Sequence, residues 1–234
     1  MVDSSRKAPQ SLSARLVAWA AWLPGRAEMV SGGAVQAAAS LPLSLRRRIT
    51  PIGRKVLEAG WALLAKDGAA PRIVLSSRHG EFARTFDLLT GLAESGEVSP
   101  AEFSLSVHHG LAGLLSIATG NTAGHSAVAG GNESFGYGFV EALASLAEGA
   151  PSVLLLHFDE ALPDIYAPVA DTAEEPVALA LLLAPGDDIA LETSPAAVSG
   201  NDPLALRFAD LLTSDAPEAG GSGERLTWRW RRAA

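Results

Sequence analysis

A chain of 234 residues, 48% of them hydrophobic, can bury one sizeable core, and its net charge of −8 sets a field that repels phosphate backbones and anionic membrane surfaces. The absence of cysteine excludes disulfides, thiolate metal sites and thiol nucleophiles together. The five histidines are too scattered to form a metal-ligand pattern, so neither a metal nor a cofactor is expected.

Residues 1–12 are polar and are expected to be flexible, ahead of a single domain over 13–234. An apolar stretch at 16–23 follows Arg6, Lys7 and Arg15 as a signal peptide's would, but it ends in Trp22, Leu23, Pro24 and Gly25 without a small-residue cleavage pattern. Residues 14–23 therefore predict a first strand covered on two faces and stopped by Pro24 and Gly25. No run approaches the roughly eighteen apolar residues that a bilayer span needs, and a cytoplasmic protein is the default expectation.

Residues 27–44, rich in Ala, Gly and Ser, read as irregular, and Arg46, Arg47 and Arg48 follow as the densest basic cluster. Thr50 before Pro51 is a helix start, an N-cap oxygen ahead of a proline at the first helical position. Ile52, Val56, Leu63 and Leu64 share one face of that helix, Gly60 permits a close approach, and Asp67 and Gly68 end it. A short buried strand at 73–75 precedes a helix over 81–93 that carries Phe82, Phe86, Leu89 and Ala93 on one stripe. Alternation of strand, helix and strand predicts an α/β fold with a parallel sheet.

Ser99, Pro100 and Glu102 match a capping box, with Phe103 as the anchor behind it. The next helix runs over about 107–118, where Leu111, Leu114, Leu115 and Ala118 repeat at helical spacing while Gly110 and Gly113 thin one side. A brief strand at 126–129 turns through Gly130 and Gly131 into a helix carrying Phe135, Phe139, Ala142, Leu143 and Leu146, the kind of tight turn where many α/β enzymes place a nucleophile. The apolar runs at 153–158 and 177–183 read as strands buried on both faces, joined by an acidic loop over 159–175. A last helix over 203–212, a flexible Gly/Ser turn at 220–223 and a strand alternating Leu226, Trp228 and Trp230 with Thr227, Arg229 and Arg231 complete the chain.

Several residues carry chemistry that could be used. Ser134 sits at the glycine-flanked turn, but the window Asn132-Glu133-Ser134-Phe135-Gly136 lacks the first glycine of a hydrolase elbow, and a serine that caps the helix is preferred. His108 and His109, adjacent on a helix, point about 100° apart and cannot jointly hold one metal; a helix-start or interface role fits them. Asp159 and Glu160, with Asp164 nearby, follow a buried strand where α/β enzymes place carboxylates, yet no base or nucleophile is paired with them and a solvated acidic loop is preferred. Arg46, Arg47, Arg48, Arg54 and Lys55 are either a solvated face or a docking patch for an acidic partner.

Three segments in order, Ser77-Arg78-His79-Gly80-Glu81, then Ser99-Pro100 with Phe103-Ser104-Leu105-Ser106-Val107-His108, then Gly130-Gly131-Asn132-Glu133-Ser134-Phe135, resemble the stand-alone β-ketoacyl synthase N-terminal-domain proteins. These are chain-length-factor-like proteins of aryl polyene and related fatty-acid-like pathways, and the resemblance covers roughly residues 14–185. It implies a thiolase-like half fold, a mixed, largely parallel sheet with helices packed on it. An active synthase carries its cysteine at the strand-to-helix turn, which here reads Gly131-Asn132-Glu133-Ser134, with Asn132 or Glu133 at the place of the cysteine. The resemblance thus implies a non-catalytic accessory subunit that pairs with an active β-ketoacyl synthase in type II fatty-acid, polyketide or aryl polyene biosynthesis. Its interface would include Leu111, Leu114, Ala127 and Val128, and an acyl carrier protein would dock on Arg46, Arg47 and Arg48. The alternatives are an acyltransferase or hydrolase using Ser134 or the Asp159 and Glu160 pair, and a scaffold that only binds carrier protein. A charge at Leu114 or Ala127, with Ala173 as an exposed control, distinguishes a buried interface from a free surface.

Overall fold

The computed structural model describes residues 12–36, 40–64, 69–169 and 175–233. The first strand, β1 (Leu12–Trp22), forms where expected and buries Ala14, Ala18, Ala20 and Ala21 completely; it takes in Leu12, and the rest of the expected flexible segment lies outside the described residues. The stretch read as irregular contains a further strand, β2 (Val30–Gly33), antiparallel to β1. Glycine permits it: a Cβ on Gly32 would sit 2.5 Å from the Trp19 Nε1, so the bare backbone lets the indole lie across the strand.

A single turn of helix, α1 (Leu43–Arg46), leads to α2 (Pro51–Leu63), which starts as predicted, the Thr50 Oγ1 accepting from the Gly53 N–H at 3.1 Å. It ends at Leu63; Asp67 and Gly68, expected to stop it, lie outside the described residues. Gly60 does allow a close approach, since a Cβ there would meet the Leu156 side chain at 2.7 Å.

The remaining elements are β3 (Arg72–Ser76), α3 (Phe82–Ser95), α4 (Pro100–Leu105), α5 (Gly110–Thr119), β4 (His125–Val128), α6 (Ser134–Ala147), β5 (Val153–Asp159), a 3-10 turn at Asp164–Val169, β6 (Val177–Pro195), α7 (Leu204–Thr213), β7 (Glu218–Ser222) and β8 (Leu226–Arg232). The sheet runs β2-β1-β6-β5-β3-β4, with β8 joined to the far half of β6 and β7 beyond it. It is mixed, with β3 parallel to both β4 and β5, and antiparallel pairs making up the rest. The parallel share is therefore smaller than the sequence implies, because β6 runs on past Leu183 to Pro195 and pairs there with β8.

Alternate side chains along the strands feed two cores. Ile73, Leu75, Leu154 and Leu156 face α2 and α5, whereas Val74, Leu155, Leu179 and Leu181 face α6 and α7. The second core includes Phe135, Phe139, Phe208, Trp228 and Trp230 with ring centroids 5.3–6.3 Å apart, and burying each such ring stabilises the fold by about 2–3 kcal/mol.

Four expectations are corrected. The Gly/Ser segment read as a flexible turn is β7, held by pairing to β8. The stripe on α3 is not core: Arg84 is its only buried residue and Leu89 is 51% exposed. Phe103 anchors nothing in this chain at 62% exposure, although Ser99 does cap α4. Finally, Gly110 accepts a close neighbour, the Leu105 carbonyl, but nothing lies within 4 Å of a Cβ at Gly113.

Candidate functional site at the ends of the parallel strands

The parallel strands β3 and β5 end side by side, and the polar residues that close their apolar runs meet there. His157, buried within the otherwise apolar β5, faces the Asp159 Oδ2 through its Nε2 at 3.3 Å and the Ser76 Oγ through its Nδ1 at 3.0 Å. The Nε2–H donates to the carboxylate, and the Nδ1 and the Ser76 hydroxyl share the second contact, the hydroxyl donating to a ring that carries one proton and accepting from a ring that carries two. The Asp159 Oδ1 accepts in turn from the Ser77 hydroxyl at 3.0 Å and the Arg78 N–H at 2.6 Å. Burial pushes the Asp159 carboxyl up, but the charge and hydrogen bond of His157, joined by the Arg78 and Ser77 bonds, outweigh it and hold the group below its ordinary value.

The serine, histidine and aspartate resemble a catalytic triad in composition only. Ser76 has no exposure and lies beneath α6, where a Cβ on Gly138 would come within 2.6 Å of its Oγ. Its hydroxyl orients the imidazole and cannot meet a substrate.

The second wall of the site is the turn into α6. A cavity of about 410 Å³ opens between this turn, the end of β5 and the start of α7, lined by Arg78, Asn132, Phe135, His157, Asp159 and Asn201 among others. Asn132 thus lies on the cavity, whereas Glu133 turns away from it. The Glu133 carboxylate, 1% exposed, accepts from the Leu226 N–H at 2.9 Å, the Trp228 Nε1–H at 2.9 Å and the Arg225 N–H at 3.0 Å. It fastens the turn to β8. Ser134 is also 1% exposed and is the first residue of α6 rather than its cap; its hydroxyl donates to the Gly131 carbonyl at 2.7 Å and accepts the Gly130 N–H at 2.9 Å, so it braces the turn from inside rather than capping the helix or presenting a nucleophile.

The other predicted site residues lie apart from the cavity. Leu111 is buried in the chain's own core, Leu114 and Val128 are half-buried, and Ala127 is exposed on β4, an edge strand with only β3 beside it; Ala173 lies outside the described residues. His108 contacts the Val128 carbonyl from its Nε2 at 3.3 Å, and His109 stacks on His125 at 5.8 Å. Arg47 and Arg48 are exposed beside a groove of about 700 Å³ that also holds Asp87, Glu97, Glu102 and Glu160, whereas Arg46 is half-buried. Arg54 pairs with Glu58 at 2.7 Å and Lys55 lies over the Trp22 ring. Sequence reasoning missed His157, whose signal is a lone polar residue at the end of an apolar strand, two positions before Asp159. Among the described residues no group of three or more His, Asp or Glu could hold a metal, and no helix is long and apolar enough to cross a membrane.

This arrangement, a thiolase-like half fold with cavity-lining polar residues at the ends of β3 and β5, agrees with the comparisons. Residues 19–231 match the family model described as beta-ketoacyl synthase, N-terminal domain, and the chain belongs to that family. It is similar to a chain of the complex of a ketosynthase (ApeO) with its chain length factor (ApeC) from Xenorhabdus doucetiae, with 27% identity and a TM-score of 0.81 over 94% of this chain and 99% of that one. The ishigamide ketosynthase/chain length factor, at 14% identity, matches with a TM-score of 0.55 over 79% of this chain and 68% of that one. A type II polyketide acyl-carrier protein in complex with its ketosynthase (AntDE:AntF) matches at 15% identity with a TM-score of 0.56, over 68% of this chain and 57% of that one. These last two show the fold alone. No curated protein sequence matches the chain.

Proposed function

We propose that this chain is a chain-length-factor-like accessory subunit that pairs with an active β-ketoacyl synthase in the cytoplasm, serving type II fatty-acid, polyketide or aryl polyene biosynthesis. Residues 13–234 act as one domain, which performs no condensation itself and helps to shape the acyl pocket of its partner. With no cysteine in the sequence, and with Glu133 and Ser134 occupied inside the turn, the family's thioester chemistry has no nucleophile on this chain.

The observation that carries the pairing is a run of thirty residues, Phe103 to Asn132, without one Asp, Glu, Lys or Arg, where the 19% average of the chain would place about six. Burial does not account for it. Only Leu111, Ala112 and Leu115 of this run are buried, and the rest is half-buried or exposed, including the open edge of β4. Surface without charge, beside an unpaired strand edge, has the character of an interface core.

Each cysteine-bearing β-ketoacyl synthase of the source genome is to be co-expressed with the full chain and the pair purified. One of them should form a stoichiometric complex, and Ala127→Asp, which puts a carboxylate on the β4 edge, should abolish it while the chain stays folded. The reading fails if no synthase binds or if the aspartate variant binds like wild type. A stoichiometric acyl adduct on this chain after incubation with acyl carrier protein would restore the acyltransferase reading.

A further inference from the structure

The pair α3 and α4 has its polarity reversed. The side toward the body of the protein is polar and charged: Arg84, 7% exposed, pairs with Glu102, lies 3.6 Å from the Glu81 carboxylate and donates from its Nη2 to the Arg48 carbonyl at 2.8 Å. Glu81 in turn accepts the Thr50 N–H at 3.0 Å as well as the Thr50 hydroxyl. The side toward solvent carries Leu89 at 51%, Leu92 at 49%, Val98 at 37%, Phe103 at 62% and Val107 at 40% exposure, set among exposed Asp87, Glu94 and Glu97. Little of that apolar face is covered: Phe82 and Phe86 meet the Tyr166 ring at centroid distances of 5.2 and 6.0 Å, but α3 has no buried residue except Arg84 and α4 has none. For comparison, α2, α6 and α7 each bury six or more residues.

A helix gains most of its stability by covering an apolar face. Here the ion-paired arginine and the Tyr166 ring hold the helices while Leu89, Leu92 and Phe103 stay uncovered, which is the state of a docking surface before its partner arrives. Two features of the chain indicate which partner. Phe103 and Val107 open the uncharged run that continues through α5 to the edge of β4. The turn after Val107 also meets the end of β4, where His108 contacts at 3.3 Å the Val128 carbonyl that accepts the Ser77 N–H from the β3 side. Phe103 therefore belongs to the same uncharged segment as the β4 edge. A membrane is the poorer occupant, because Asp87, Glu94, Glu97 and Glu102 on these same two helices and their connection, and the net charge of −8, repel anionic lipid.

We infer that α3 and α4 form a clasp for the partner ketosynthase, with Phe103, Leu89 and Leu92 inserting into an apolar, charge-poor surface of that subunit. This inference rests on the pairing proposed above and extends the contact beyond the β4 edge. Exposed side chains that bind a partner and do nothing for their own chain make a combination that can be measured. Phe103→Ser and the double change Leu89→Ser with Leu92→Ser should leave the Tm of the isolated chain within about 2 °C of wild type. Each should weaken binding to the co-purified synthase about tenfold or more, mainly through faster dissociation.

The two readings fail differently. If no synthase binds the wild-type chain, the pairing and the clasp fall together. If wild type binds and Ala127→Asp does not, yet the α3–α4 variants bind within twofold of wild type, the pairing stands and the clasp is wrong. A Tm drop of more than about 5 °C in Phe103→Ser would make that ring part of the chain's own core and overturn the clasp as well. Sedimentation of the isolated chain as a dimer that the leucine changes dissolve would assign the surface to a second copy. Flotation of the isolated chain with phosphatidylglycerol vesicles, lost in the same variants, would assign it to a membrane.

Discussion

Two adjacent carboxyls at the end of β5 are shifted in opposite directions, and each predicts a pH dependence of the opposite sign. Asp159 is held below its ordinary value, so its contribution is complete above the unfolded value near 3.8 and is lost as pH falls through the lower folded value. Asp159→Asn should lower the Tm at pH 7 by about 5 °C, and the deficit should shrink in acid. Glu160 is pushed up by burial, and then by the charges of Glu81 and Asp159, and its Oε1 is buried without a hydrogen-bond partner. The folded chain binds that proton more tightly than the unfolded chain, so ionised Glu160 destabilises the fold above its raised value. Glu160→Gln should therefore raise the Tm at pH 7 by about 2 °C, a gain that fades as pH falls through the folded value and the wild type becomes neutral. Thermal scans of both variants from about pH 2 to pH 8 check this: the Asp159→Asn deficit should be flat above about pH 4 and shrink below it, whereas the Glu160→Gln gain should already fade at a higher pH than that, and offsets equal over the whole range would show that the shifts are not the cause. The sequence places both carboxylates at the end of a buried strand, but it does not separate them. One accepts from Ser77 and Arg78, just after β3, and from His157, whereas the other has a buried oxygen without a partner, a distinction that needs the register of β3 against β5.

Among the elements, the strand-to-helix turn and α5 show how glycine carries opposite meanings. A Cβ on Gly136 would fall 2.7 Å from the Trp228 ring, so α6 lies against β8 at a distance only glycine allows. Gly136→Ala gains about 1 kcal/mol in helix propensity and loses about 1–3 kcal/mol to overpacking, a net loss in stability. Gly113 has no neighbour within 4 Å in α5, and Gly113→Ala should stabilise the isolated chain by about 0.5–1 kcal/mol. Urea denaturation of the two variants should move in opposite directions, and movement in the same direction would refute this reading of the packing.

The long amphipathic and apolar elements were legible because periodicity reports burial directly, as for α2, α6 and the first half of β6. The glycine-rich β2 and β7 were not, since their residues have low strand propensity and extend only because β1 and β8 pair with them. For α3, periodicity says which face is apolar and not whether this chain covers it.

At the scale of the whole molecule, a basic cluster stands out within an acidic protein, and the proposed carrier docking belongs to that field. Arg47 and Arg48 are exposed, but Arg46 is half-buried with its Nε lacking a partner, so charge reversal there would disturb the fold as well as the surface. The informative variant is Arg47→Glu with Arg48→Glu. It should slow association with an acyl carrier protein about tenfold at low salt and by much less at 0.5 M, because screening removes steering first. Unchanged rates by stopped-flow at both salts would reduce the pair to a solvated face. The half-fold and the lost nucleophile were both legible in the sequence, through three ordered segments and the missing cysteine. The contents of the turn were not, for only the fold sends Glu133 to β8 and leaves Asn132 on the cavity. The exposed leucines of α3 and Phe103 of α4 also bear on the supply of the protein in the cell. On the clasp reading an unaccompanied copy displays the kind of surface that chaperones hold and proteases select, so copies made in excess of the partner are removed. The synthase would then set the abundance of this chain, and matched production of the two subunits would follow from turnover, with no separate regulator needed.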